Sequence, residues 1–333
     1  FMTMKKKKEV KTTPEPDEIT STYIHPLTDF GFKKLFATEA NKELLLDFLN
    51  EVIKDVGKIT DIQYMPTYHI GRLEENRKAV FDIFCTNDNK EYFVVEMQRA
   101  EEPFFIDRTM FYSTFPIQSQ APQGSWDFNL KPVYVVSILD FTLFGAEEDA
   151  KHIIERVYLM RERTKECFSR KLNFIYVELP KFNKTIDELE TNMDRWLFCL
   201  KNLQSLNQRP EAVQGRVFEI LFKEAEIKQL TSTEMEEYKK DVTQYSDIRR
   251  CIIHAADKNL KKGREEGLIK GRQEGLMKGE QIGLMKGQLM FYTNLRLKGV
   301  PDDEIPQYMG LTESELLELE IKWRSSDDAG TIN

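Results

Sequence analysis

Cysteine and histidine are scarce in this sequence, and neither is arranged to organise a fold. The four cysteines, Cys85, Cys167, Cys199 and Cys251, are far apart and form no CxxC pair. That excludes a disulfide framework or a zinc cluster as the organising device. His25, His69, His152 and His254 are equally scattered, so any metal is expected on oxygen ligands. No run of about 18 apolar residues occurs, and no membrane-spanning helix is expected. Residues 1–20 hold Lys5 to Lys8, Pro14 and Pro16 but no apolar block of the kind a leader carries, which predicts a flexible tail and a cytoplasmic location. Positive net charge is missing as well. With 56 acidic against 48 basic residues the formal charge is -8, which excludes a protein that coats nucleic acid over its whole surface.

What remains is an ordinary globular composition, 41% hydrophobic and 31% charged over 333 residues, enough for a substantial core. Its most informative stretch is 79–99, AVFDIFCTNDNKEYFVVEMQR. Two runs of strand-forming residues flank an Asn/Asp cluster that tolerates left-handed backbone, and the pattern predicts a β-hairpin. Within it sit Asp82, Glu96 and Gln98, which a purely structural strand does not need. Glu96 and Gln98, two apart, share a face. If the loop is the three residues 88–90, Asn87 pairs with Glu91 and Asp82 falls opposite Glu96, with Cβ atoms roughly 5 Å apart. Like charges at that spacing call for a cation between them, and a hard divalent ion suits two carboxylates. From these residues alone a second arrangement stays open, in which both carboxylates face solvent from a one-sided sheet.

An Asp on one strand followed by Glu-x-Gln on the next resembles the PD-(D/E)XK nuclease superfamily, many members of which have Glu-x-Lys. More narrowly, the chain resembles the Rpn family of recombination-promoting, transposase-like nucleases. Other segments carry the same resemblance in order. Residues 29–36, DFGFKKLF, match the N-terminal signature; Arg108-xxx-Tyr112 follows Glu-x-Gln; 140–144 reads DFTLF and 178–182 reads ELPKF. The resemblance implies that Asp82 and Glu96, with the backbone carbonyl of Met97, bind Mg²⁺ or Mn²⁺ and that the substrate is DNA. Gln98, in the place of the lysine, can orient water by hydrogen bonding but cannot act as a base. Arg108 and Tyr112 share a helix face and suit phosphate contact; Arg108 paired with a nearby carboxylate is the equal alternative. In the wider superfamily an acid from the first helix sometimes joins the metal, a part open to Asp29 or Glu43, with a helix cap or an exposed face as the favoured alternative.

The order of elements predicts an α/β class, a restriction-endonuclease-like mixed sheet flanked by helices over residues 21–184. Helical periodicity before and after Thr38, a strand over 59–70, a charged connection over 71–78, a helix over 104–120 kinked or ended by Pro116, and a central strand over 131–139 make up its body. Strands over 153–160 and 172–179 extend it, with Glu178 and Lys181 in structural roles. Residues 185–257 read as helical throughout, a small subdomain with Trp196 and Phe218 in its apolar seams.

Seven glycines, Gly263 to Gly287, then recur every fourth residue between good helix formers. As a helix this stretch carries a propensity penalty on the order of 7 kcal/mol. Close backbone approach by another helix would offset it, so the helical region 258–298 is a candidate for self-association. A flexible charged linker is the alternative. A membrane helix is excluded by the interleaved charges. The tail 299–333 is expected to form short helices, the last opened by a Thr312/Glu315 capping box and acidic through Glu313, Glu315, Glu318 and Glu320. The function expected from all this is a metal-dependent DNA endonuclease linked to recombination. The alternative is a catalytically weak or inactive nuclease-fold module acting in protein assembly.

Overall fold

The structure, a computed structural model, describes residues 20–54, 57–69, 79–121, 124–125, 127–145, 151–312, 314–318 and 321. The N-terminal run 1–19, the charged connection at 71–78, and Glu313 and Glu320 of the tail lie outside them.

The apolar runs assemble into one six-stranded mixed sheet in the order β1-β4-β5-β6-β8-β7. Its strands are β1 (Ile62–Tyr64), β4 (Ile83–Asn87), β5 (Tyr92–Gln98), β6 (Val133–Leu139), β7 (Ile154–Met160) and β8 (Cys167–Glu178). β2 (Tyr68–His69) and β3 (Ala79–Val80) pair separately, so the expected strand over 59–70 is two short ones. β4 and β5 are the antiparallel hairpin; β5, β6 and β8 run parallel, and β6 is buried at every position, as a strand covered on both faces must be. This is the expected restriction-endonuclease-like α/β core.

Helices cover both faces. α1 (Asp29–Phe36), α2 (Lys42–Val52), α4 (Asn192–Asn202) and α5 (Arg216–Glu224) bury Phe36, Phe48, Trp196 and Phe218 in one cluster with Phe93, Val95 and Met97 of β5. On the other face α3 (Phe105–Ser119) sets Phe105 against Val94, Val135 and Tyr176. α3 runs through Pro116 for one more turn. The missing proline N–H removes a bond only near the helix end, where the Ser119 hydroxyl and Gln120 amide hold the Pro116 carbonyl at 3.0 and 3.2 Å. Residues 185–257 are less continuous than expected, because Pro210 and Gly215, at φ 117°, interrupt the helices before α5. Glu178 and Lys181 form a buried ion pair, and Glu178 also accepts the amides of Leu143 and Phe144, closing the loop after β6.

Gly31 shows how tightly α1 is seated. Its Cβ would stand 2.1 Å from the His25 carbonyl oxygen and 2.8 Å from Thr28 Oγ1, the N-cap oxygen that accepts the Gly31 amide. The nearest obstacle is backbone and cannot swing away. Gly31→Ala is therefore expected to destabilise the fold by about 1–3 kcal/mol in urea unfolding, and unchanged stability would mean that α1 is loosely held.

By its contacts the chain divides into Phe1–Ile252 and Ile253–Asn333. α6 (Ser232–Leu297) opens on a Thr231/Glu234 capping box and buries Tyr238 and Tyr245 in the first unit. In the second unit its residues 253–284 are all exposed. Among the described residues nothing lies within 4 Å of a Cβ placed on any of the seven repeat glycines. α7 (Ile305–Met309) ends on Gly310 at φ 66°, and Thr312 and Glu315 form the expected reciprocal cap.

Candidate metal centre at the end of the β4–β5 hairpin

Turn chemistry sets the site. Asn87 accepts the Asn89 and Glu91 amides on its side-chain oxygen, and Lys90 takes the left-handed conformation at φ 60°, which makes residues 88–90 a three-residue loop. The register that follows pairs Ile83 with Val95 and Thr86 with Tyr92, so Asp82 stands level with Glu96. Their contacts are reciprocal. The Asp82 amide donates to Glu96 Oε1 at 3.3 Å, and the Met97 amide donates to Asp82 Oδ2 at 2.8 Å.

Glu96 points to the α3 face and is only 6% exposed. Burial raises its carboxyl well above the usual range and the neighbouring Asp82 charge adds to this, while the Asp82 amide, Arg108 and Lys33 pull the other way. Asp82 is raised mainly by burial, with the Met97 amide and the charges of Lys33 and Arg108 opposing and Asp29 reinforcing. Both carboxylates are thus short of positive charge. On the next strand Ser137 lies level with Glu96, fully buried, its Oγ without a hydrogen-bond partner among the described residues. Oxygen donors, uncompensated negative charge and an orphaned hydroxyl beside them fit a hard divalent cation. Among the described residues no group of three or more His, Cys, Asp or Glu side chains is placed to hold a metal, so such an ion would rely on two carboxylates and main-chain or solvent oxygens.

Gln98, on the same face as Glu96, is engaged at both ends of its amide. Its oxygen accepts from Arg108, and its nitrogen donates to the Ala100 carbonyl at 3.0 Å and to Glu102 at 2.9 Å. Arg108 also pairs with Glu102, and its guanidinium lies 5.1 Å from the Phe105 ring centroid and 5.9 Å from that of Tyr112. Tyr112 is half-buried; burial raises its phenol and the charge of Glu96 adds to that.

Asp29 reaches this neighbourhood and Glu43 does not. Asp29 holds Lys33 through both oxygens, at 2.9 and 3.0 Å. Glu43 forms a surface ion pair with Arg216 at 3.2 Å. Lys33 was not singled out by residue pattern, nor were Ser137, Arg99 and Asp241. Asp241 of α6 accepts the Phe30 amide at 2.6 Å on one oxygen and Arg99 at 3.2 Å on the other, tying the first turn of α1 to the end of β5. Tyr245, one turn on, donates to Asp140, whose amide donates to the Gln98 carbonyl. No local pattern marks Ser137, Arg99 or Asp241, whose neighbours lie far away in the chain, and Lys33 shows only its pair with Asp29 on the same helix.

Residues 26–255 match the family model described as PD-(D/E)XK nuclease family transposase. No curated protein and no solved structure matches the chain. Among the described residues no helix is long and apolar enough to cross a membrane.

Proposed function

Because the chain belongs to the PD-(D/E)XK nuclease transposase family, a nuclease-type family linked to recombination, we propose that it is a divalent-metal-dependent DNA endonuclease. Asp82, Glu96 and the Met97 carbonyl would hold Mg²⁺ or Mn²⁺. The observation that carries this reading is the buried Glu96 and the partly buried Asp82, level with each other across the β4–β5 register with too little positive charge around them. When bound, a divalent ion there would lower the pKa of a coordinated water and offset charge on the scissile phosphate. The chain's own residues do the rest. The reciprocal amide contacts fix the carboxylates, and α3 over Glu96 keeps bulk water from its side. Gln98 acts as a positioning residue that, with Glu102, holds the Arg108 guanidinium near the phosphate path. Arg108 and Tyr112 then contact DNA phosphates.

Supercoiled plasmid is expected to be nicked by the purified protein in Mg²⁺ or Mn²⁺, and not in EDTA. Asp82→Ala is expected to lose the activity. Equal behaviour of the two proteins would remove the catalytic reading and leave the assembly module as the function. That second reading has an observation of its own in the exposed α6 stretch 253–284, whose glycines leave room for a second helix to approach. An oligomer that dissociates when Gly267, Gly271 and Gly275 are replaced by glutamine, in a protein without cleavage, would favour it.

A further inference from the structure

A duplex substrate needs more positive charge than Arg108 supplies, and the chain as a whole carries -8. Positive charge is concentrated in residues 151–171, which hold seven Lys or Arg against three Glu. This stretch forms β7 and the first part of β8. β6 pairs with β8 only from Leu172 onward, so residues 167–171 have β7 as their only sheet partner among the described residues, and the two strands leave the sheet as a ribbon. The pairing shifts between Tyr158 and Leu159 and again between Leu159 and Met160, and bulges of this kind bend a ribbon away from its sheet. The ribbon closes on the loop 162–165, where the Arg161 amide donates to the Glu166 carbonyl at 2.9 Å and Lys165 takes the left-handed conformation at φ 56°. Arg161 is matched by Glu166 at 2.7 Å, but Arg163, Lys165 and Lys171 are exposed and enter no ion pair among the described residues. Where the ribbon joins the sheet, a shallow cleft is lined by Lys54, Arg156 and Arg170 with Tyr134, Tyr158 and Asn173. The cations there are held in place. Arg156 donates to the Val52 carbonyl at 2.8 Å, the Arg170 guanidinium lies 4.0 Å from the Tyr158 ring centroid, and Lys54 is taken by Glu51 at 3.2 Å.

We propose that the β7–β8 ribbon is a second DNA-binding element, an arm that lies along a groove of the duplex and contacts its phosphates through Arg163, Lys165 and Lys171, with Arg156 and Arg170 at its base. The proposal rests on the reading of DNA as the substrate and adds where, away from the metal centre, the duplex is held. A two-stranded ribbon has the width that the major groove admits. The spacing to the metal centre is set by the sheet. Glu96 is level with Ser137 and Ser137 with Tyr176, and Ser169, opposite Leu159, comes seven residues before Tyr176 on β8. The ribbon therefore begins no more than about 23 Å from the level of Glu96, roughly seven base pairs along a duplex. Exposed Met160 and Phe168 would also suit a second copy of the chain. The charge argues against that occupant, because two ribbons that each carry a surplus of four positive charges repel when paired. The same surplus attracts a polyanion.

Fluorescence anisotropy of a labelled duplex about 20 base pairs long, roughly two helical turns, titrated with the full chain in EDTA over a range of salt, tests this without cleavage. Each phosphate contact contributes about 0.9 to the slope of log affinity against log salt. The triple variant Arg163→Ala, Lys165→Asn, Lys171→Ala, with asparagine where the backbone is left-handed, is expected to lower the slope by about 2 to 3 and to weaken binding at least about tenfold. Its melting temperature should match the parent's, since all three side chains are exposed. Arg163→Lys, Lys165→Arg, Lys171→Arg should bind like the parent. An unchanged slope in the first variant overturns the proposal. So does equal weakening by Lys258→Ala, Lys270→Ala, Lys278→Ala, which removes the same charge from the exposed stretch of α6 and would reveal an effect of net charge alone. A change of oligomeric state in the ribbon variant, read by sedimentation, would make a second copy the occupant and also overturn it. A parent that binds duplex through the ribbon yet never nicks plasmid with metal removes the nuclease reading and leaves the ribbon in place. A parent that binds no duplex overturns both.

Discussion

Glu96→Gln is expected to lose metal-dependent cleavage by at least about a hundredfold and yet to melt several degrees higher than the parent at pH 7 without metal. The first half follows from removing a direct ligand, when altering even an outer partner of a ligand costs 10- to 100-fold. The second half follows from the direction in which the fold moves the Glu96 pKa. Burial and the Asp82 charge raise it, so the group contributes stability that is fully present below its unfolded pKa and lost as pH rises through the folded one. At pH 7 the parent therefore either buries a disfavoured charge or takes up a proton that the unfolded chain has released, and glutamine does neither. Every pH unit separating the folded from the unfolded pKa is worth about 1.4 kcal/mol, and 1 kcal/mol moves the melting point of a domain this size by about 2–4 °C. The gap between the two proteins should close as pH falls towards the ordinary carboxylate range. It should also narrow when Mg²⁺ is added, because the metal stabilises only the protein that binds it. A glutamine variant that melts below the parent at pH 7 would mean that Glu96 is already compensated, and the main reason for placing a cation there would be gone.

The hairpin and its register were legible because their cause is local. Asn87, the Asn/Asp turn and a left-handed Lys90 fix a three-residue loop, and loop length alone decides whether Asp82 meets Glu96 or its neighbour. Arg108 and Tyr112 were legible for the same kind of reason, since four residues on a helix is a local spacing. The polar groups that the fold brings near the hairpin were not. Lys33 in DFGFKKLF looks like any surface lysine until Asp241, more than two hundred residues later, pins the first turn of α1 beside β5. Ser137 is one polar residue in an apolar strand, and only the parallel pairing of β5 with β6 puts it level with Glu96. Gln98 was legible as a departure from Glu-x-Lys. Its commitment to Arg108 depends on where α3 begins and on Glu102 in the preceding loop. The repeat glycines predicted a helix and a partner for it, and the helix is present with the space around each glycine open.

The joint between α1 and α6 is also where acid is expected to act. His25 lies beneath it, with its main-chain amide on the Tyr238 hydroxyl at 2.8 Å and its ring 4.3 Å from that of Tyr245. Nδ1 accepts the Leu27 amide at 3.1 Å, so the proton of the neutral ring sits on Nε2, which is buried without a partner among the described residues. Burial, with the nearby Arg249 and Arg99 charges, lowers its pKa to about 3. Between pH 6.5 and that value the unfolded chain binds a proton that the native state refuses, so stability falls as pH falls. The slope approaches 1.4 kcal/mol per pH unit and totals roughly 4 to 5 kcal/mol over the whole interval. Asp82, Glu96 and Asp140, all raised, bind protons more readily when folded and work in the opposite direction at the acid end. The His25 contribution is therefore read as a difference between two proteins. His25→Asn keeps an acceptor near the Leu27 amide and cannot titrate. Urea unfolding from pH 7 to 4 should show the parent losing stability relative to this variant by about 1.4 kcal/mol per pH unit below pH 6. Parallel curves would mean that the ring is protonated in the native state, with solvent or an acceptor reaching Nε2. The joint between α1 and α6 would then be far wetter than its packing indicates.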